Sequence, residues 1–174
     1  MSDDMMGGRE NLASNVSGVL VVDKPVGLSS HDVVQIIRNG TKIRRAGHTG
    51  TLDPRASGVL VVLLGPAVRL SEYVSASEKR YQAVIELGIT TDTYDMEGQI
   101  TRRSPVEITY EEFEEALQGF IGEFEQKPPA YSAIKVKGEK AYEIARRGEE
   151  VDLEPRTIQV HELELLDWDP PEAV

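Results

Sequence analysis

The sequence predicts an α+β fold, built on a mixed, mainly antiparallel sheet with flanking helices. Three observations point there. Short apolar and alternating runs that read as strands do not alternate regularly with helices, which argues against a doubly wound parallel sheet. Two stretches open with a capping box and continue at helical spacing. No repeat and no linker breaks the 174 residues, 40% hydrophobic and 28% charged, a globular composition with chain enough for a real core.

Residues 1–16 read as a disordered leader, polar and acidic where a signal peptide would be basic and then apolar. Gly18 to Asp23 is an apolar strand running into a turn at Lys24-Pro25-Val26-Gly27. Ser29 and Asp32 form a capping box, Val33, Val34, Ile36 and Ile37 make an apolar helical face, and Asn39-Gly40 is expected to end the helix. Lys42 to Pro54, rich in Gly, Thr and basic residues, reads as a loop. Val59 to Leu64, between Gly58 and Gly65, is too short for a helix in isolation and reads as a strand buried on both faces.

Tyr81 to Leu87 alternates, with Tyr81, Ala83, Ile85 and Leu87 on one face, and Thr91 to Gly98 is a polar turn segment. Thr109 and Glu112 form a second capping box. Behind it Phe113, Ala116, Leu117, Phe120, Ile121 and Phe124 keep helical spacing to about residue 122, as an ordinary core stripe. Gln126 to Pro129 breaks the chain, Tyr131 to Val136 is strand-like, and Lys140 to Arg147 suggests a short helix closed by Gly148. Arg156 to Leu166 reads as a last strand. Its apolar parity switches between Val160 and Leu163, as a bulge near His161 would produce.

Composition removes several kinds of chemistry. Without cysteine there is no disulfide framework, no Cys-ligated zinc, no iron–sulfur cluster and no thiol nucleophile. His31, His48 and His161 are scattered, so no metal site is expected. No apolar run approaches the roughly 18 residues of a membrane helix. A cytoplasmic protein with no membrane partner is the expectation.

The net charge of -11 argues at first against a nucleic-acid partner, yet the charge is uneven. Residues 31–80 hold eight basic and four acidic groups, a net of +4, whereas residues 81–174 hold nine basic and 22 acidic groups, a net of -13. The positive stretch is either a solvated face or a local surface for a polyanion. Within it lies the densest constellation of the chain, Arg44 to Gly58. Glycines 47, 50 and 58 and threonines 49 and 51 let the backbone approach something bulky, arginines 44, 45 and 55 frame the segment, and one carboxylate, Asp53, sits inside it. No GK[ST] follows the glycines, so this is not a Walker A loop. Asp53 before Pro54 is either a turn initiator or a reactive carboxylate.

GVLVVDKPVGLSSHDVV followed by AGHTGTLDPRASGVL resembles the two opening motifs of the TruB family of tRNA pseudouridine synthases. KRYQAVIELGITTDTYDMEG is similar to the family's second motif, and QKPPAYSAIKVKGEKAYEIARRG to its RNA-gripping thumb, in a form closer to bacterial TruB than to dyskerin-type enzymes. The resemblance runs from about Gly18 to Leu166. It implies a pseudouridine synthase fold over residues 17–174, with a thumb-like insertion at about 126–156. The implied reaction isomerises uridine-55 in the tRNA T-loop, with no cofactor and no metal, the tRNA T-arm as partner and no protein partner.

By the same resemblance Asp53 is the catalytic carboxylate, and Tyr81 stacks on the flipped uracil and helps move its C5 proton. His48 inserts into the tRNA loop, and Lys24 and Pro25 belong to the loop that supports the active site. Gly47, Thr49, Gly50 and Thr51 bring the loop against the substrate. Arg55, Lys79 and Arg80, with Arg44 and Arg45, are candidates for phosphate contacts, as are Lys135, Lys137 and Lys140 from the thumb.

The family pattern continues into a strand with a GTYIR-like motif, whose arginine pairs with the catalytic aspartate, and then usually into an RNA-binding module. Residues 1–174 contain neither. The resemblance therefore implies a domain incomplete at its C-terminal side, an unpaired Asp53 in a dry pocket, and weak or no turnover by this chain alone. Two other functions stay open. One is a non-catalytic RNA-binding protein or tRNA-folding chaperone, the other a synthase dependent on a guide RNA.

Overall fold

Seven residues of extended apolar chain at each of two places build the first sheet. In the computed structural model, which describes residues 16–129, 135–136, 138–149 and 151–174, β1 (Gly18–Lys24), β2 (Ala46–His48) and β3 (Gly58–Leu64) lie in the order β1-β3-β2. Both pairings are antiparallel, with Gly18 opposite Leu64, Lys24 opposite Gly58, and His48 opposite Val62. β2 falls in the segment read from sequence as loop. Its three residues are too few to show a period, and only the neighbouring β3 recruits them. The leader expected over 1–16 lies, except for Val16, outside the described residues.

α1 (Ser30–Thr41) packs on this sheet through Val33 and Val34, which with Ile43, Ala46, Leu60, Val62 and Leu64 make the core. Val22, Leu28, Ile37 and Leu52 close around it. Ile36, counted from sequence with the apolar face, points outward and is 58% exposed. The capping box forms as expected, with the Asp32 N–H donating to Ser29 Oγ (3.1 Å) and the Ser29 N–H to Asp32 Oδ2 (2.9 Å). The end differs from expectation. The helix passes through Gly40, and Lys42 takes the left-handed conformation (φ 61°), its N–H donating to the Arg38 carbonyl (2.9 Å).

β3 is buried on both faces only in its second half, where Val62, Leu63 and Leu64 are all at or below 5% exposure; Val59 at its start is 69% exposed. Beyond Gly65 the chain makes a 3-10 segment (Gly65–Leu70) and the short helix α2 (Ser71–Ser75). Neither carries a periodicity that marks it in the sequence.

The chain divides into two compact units, the second being Tyr81–Val174. Its strands are β4 (Ile85–Glu86), β5 (Ile89–Thr91), β6 (Ile100–Arg103), β7 (Gly122–Gln126), β8 (Lys135–Val136), β9 (Glu139–Lys140), β10 (Arg156–Val160), β11 (Trp168–Asp169) and β12 (Glu172–Ala173). They pair as β5-β6, β7-β10, β8-β9 and β11-β12-β4, every pairing antiparallel. The mixed α+β class with antiparallel sheets is thus realised. The helices are α3 (Tyr110–Gln118), opened by the Thr109–Glu112 capping box, and α4 (Ala141–Arg146), after which Gly148 turns with φ 77°.

Three readings of this unit change. Of the alternating Tyr81–Leu87 stretch only Ile85–Glu86 is laddered, and Tyr81 to Val84 are exposed, because alternation makes a strand only where a partner strand exists. The last long strand stops at Val160, opposite Gly122, so the parity change near His161 marks the strand's end and not a bulge. The α3 stripe is core only in part. Phe113 is buried and stacks on Trp168 (centroids 5.0 Å apart), whereas Phe120 is 56% and Ile121 40% exposed, because the helix has ended by Gly119. Of the strand expected over Tyr131 to Val136, residues 131–134 lie outside the described residues. Among the described residues no helix is long and apolar enough to cross a membrane.

Candidate active site

Lys24 ends β1 with its side chain fully buried, and a buried ammonium must find acceptors. Its Nζ donates to the carbonyls of Pro25 (3.0 Å) and Leu28 (2.7 Å), closing the turn between β1 and α1 from inside. Gly27 in that turn has φ 94°, a conformation costly for any residue with a Cβ, and its N–H donates to the Pro54 carbonyl (2.7 Å). The turn after β1 therefore holds the loop before β3. A second tie runs beside it. Ser30 Oγ accepts from the Leu52 N–H (2.9 Å) and donates to the Leu52 carbonyl (3.1 Å).

Asp53 lies between these two anchors. Its carbonyl accepts from the Ala56 N–H (3.0 Å), so Asp53 opens the turn Asp53–Ala56, as an aspartate before proline favours. The turn reading and a chemical role of the carboxylate are compatible, since the turn uses the backbone and leaves the side chain exposed. Both anchors are made within the first unit, and Asp53 itself is exposed.

The other site residues of this unit fall on two adjoining segments. Gly47 and His48 are half-buried on β2, opposite Leu63 and Val62, and His48 Nδ1 is buried with no hydrogen-bond partner among the described residues. The Thr49 N–H donates to the Val61 carbonyl (3.0 Å), and its own carbonyl accepts from Ser75 Oγ of α2. Gly50 and Thr51 are exposed, as are Arg44, Arg45 and Arg55. Arg38 turns inward instead, donating from its guanidinium to the Ala46 carbonyl and tying α1 to β2.

Two lysines assigned to substrate contact from sequence are engaged with the protein. Lys24 supports the turn and presents no ammonium to the surface, which corrects its place among the RNA contacts. Lys79 is exposed, but its Nζ donates to the carbonyls of Ser75 (2.7 Å) and Ser77 (3.0 Å), closing off α2. Arg80 is exposed at the end of the first unit, and Tyr81, 70% exposed, opens the second. Lys135 and Lys140 are cross-strand partners in the β8–β9 hairpin, and Lys137 lies outside the described residues.

Sequence reasoning missed Ser30. Its neighbour Ser29 carries the recognisable cap, whose two hydrogen bonds to Asp32, the side-chain one foremost, hold that carboxyl below the usual aspartate range. The signal for Ser30 is only that a second serine sits where an apolar residue would serve the core.

Comparison with known proteins identifies the family to which this chain is similar. Residues 38–174 match the profile of the TruB family pseudouridylate synthase (N terminal domain). The tRNA pseudouridine synthase B of Caldanaerobacter subterraneus subsp. tengcongensis is 50% identical over 158 residues, covering 90% of this chain and 55% of that protein. That of Symbiobacterium thermophilum is 46% identical over 167 residues, covering 95% of this chain and 56% of that protein. The chain thus spans about half the length of these curated relatives. Among solved structures, a chain of a Cbf5–Nop10–Gar1 complex superposes with a TM-score of 0.64 at 28% identity, covering 90% of this chain and 37% of that one. A chain of an H/ACA RNP bound to a substrate RNA containing 2'-deoxyuridine gives 0.61 at 26% identity, over 90% of this chain and 35% of that one. With most of its length inside the family profile, the chain belongs to the TruB family of pseudouridylate synthases.

Proposed function

We propose that this chain carries the catalytic loop of a tRNA pseudouridine synthase acting on uridine-55 of the T-loop, with Asp53 as the catalytic carboxylate. One observation carries the reading: Asp53 is exposed at the first position of a turn whose main chain is held immediately before it, at Leu52, and immediately after it, at Pro54. Binding a polyanion gains nothing from a carboxylate held forward in this way, whereas isomerisation needs one. The reaction breaks the bond between N1 of uracil and C1′ of ribose, turns the base and joins C5 to C1′, and C5 loses its proton while N1 takes one up. It is redox-neutral and balances without a cofactor, and Asp53 stabilises or captures the C1′ that the departing base exposes.

The base must leave its stack, and an exposed aromatic face such as Tyr81 suits it, at about 1–3 kcal/mol per stacked base. His48, on the segment adjoining the Asp53 turn, occupies the space the base vacates in the tRNA loop. Arg44, Arg45, Arg55, Lys79 and Arg80 meet phosphates, and Lys135 does so from the thumb. The relatives' shared name, tRNA pseudouridine synthase B, favours free tRNA as substrate over a guide-dependent one.

The test is Asp53→Asn in the protein as its source cell expresses it, assayed on unmodified tRNA transcript. Pseudouridine formation is expected to vanish while tRNA binding persists. Unchanged turnover would remove Asp53 from catalysis, and wild-type protein that binds tRNA without modifying it would leave an RNA-binding protein or chaperone. A polypeptide of these 174 residues alone, lacking a GTYIR-like segment, is expected to show little or no turnover.

A further inference from the structure

We infer that Ser30 is a positioning residue for Asp53, an inference that rests on the catalytic reading of that carboxylate. Ser29 and Ser30 are adjacent but do different work. Ser29 is the cap of α1 and satisfies the helix terminus with Asp32. Ser30 is therefore not needed for the helix end, and it is 2% exposed, so its hydroxyl cannot turn to water. It is satisfied instead by one distant residue, accepting from the N–H of Leu52 at 2.9 Å and donating to the carbonyl of Leu52 at 3.1 Å.

That carbonyl belongs to the peptide plane that also carries the nitrogen of Asp53. Holding it fixes the plane from which the Asp53 side chain departs. The other jaw is the Gly27 N–H on the Pro54 carbonyl (2.7 Å). With both neighbouring residues fixed to the turn and helix that follow β1, the Cα–Cβ bond of Asp53 keeps one direction although the residue is exposed to solvent. Reaction rates are steep in such placement, since a displacement near 1 Å costs on the order of 100-fold. Removing the Ser30 hydroxyl frees the Leu52–Asp53 plane and takes away the acceptor of the half-buried Leu52 N–H. The carboxylate itself and the basic residues around it stay in place, so substrate binding is spared.

The experiment compares wild type, Ser30→Ala, Ser30→Cys and Asp53→Asn, all in the protein as its source cell expresses it. Three quantities are read: single-turnover pseudouridine formation on unmodified tRNA, tRNA Kd, and amide exchange at Leu52 against Leu60 and Val62 in β3. Ser30→Ala is expected to speed exchange at Leu52 while Leu60 and Val62 stay protected, and to slow the chemical step by about 10- to 100-fold with Kd within about twofold. Ser30→Cys, close in volume but a weak donor and acceptor, is expected to lose less, and it keeps the test open should the alanine variant not fold.

Exchange at Leu52 unchanged in both variants would overturn the clamp. A rate within about twofold of wild type despite a freed Leu52 N–H, or a loss confined to Kd, would overturn the positioning role alone, provided Asp53→Asn is inactive. Activity retained by Asp53→Asn would overturn the catalytic reading and the role of Ser30 with it.

Discussion

At the residue scale, this site is built from backbone groups held by a few buried side chains. Lys24 donates from its ammonium to two carbonyls, the Ser30 hydroxyl is satisfied by Leu52, and neither reaches the surface. Asp32 behaves differently because it is exposed and titrates. Hydrogen bonds from Ser29 lower its pKa in the fold. A carboxyl depressed in this way adds stability above its unfolded value near pH 4, and that stability is lost as pH falls through the folded value. The melting temperature of wild type relative to Asp32→Asn is therefore expected to be highest near neutrality and to shrink between pH 5 and pH 3, as thermal melts would read. The cap was legible because Ser29 and Asp32 are three residues apart. The clamp was not, because Ser30 and Leu52 are 22 apart and nothing local in either residue names the other.

At the element scale, local chemistry was a good guide and pairing was not. The two capping boxes start α1 and α3 where Ser29 and Thr109 place them. The ladder of β1 and β3 follows from two apolar runs, but β2 follows from its neighbour, and the alternation of Tyr81 to Leu87 gains only two laddered residues. Glycines divide in the same way. Gly40 was read as the helix stop, yet it is an exposed helical position where a Cβ meets nothing within 4 Å. Gly65 has φ 59°, and a Cβ there would lie 1.9 Å from the Val16 carbonyl oxygen. Urea denaturation is expected to separate them: Gly40→Ala stabilises by about 0.5–1 kcal/mol, the ordinary gain for alanine over glycine in a helix. Gly65→Ala destabilises by at least about 1–2 kcal/mol, the strain of a left-handed residue before any backbone movement is counted.

At the scale of the whole molecule, the uneven charge and the two units share a boundary. The net +4 of residues 31–80 lies wholly in the first unit, with the Asp53 loop, and the net -13 of residues 81–174 is the second unit entire. The net charge of -11 therefore describes neither the +4 stretch in the first unit nor the second unit by itself. The boundary has a physical character of its own: residues 76–84 are exposed without interruption and carry Lys79, Arg80 and Tyr81 in succession. Such a run is where trypsin cuts first. Brief digestion is expected to yield two fragments meeting at Lys79 or Arg80, and bound tRNA to slow that cleavage. Undiminished cutting at saturating tRNA would place the substrate elsewhere. The segment thereby becomes a footprint, reporting where RNA lies even on a variant that performs no chemistry.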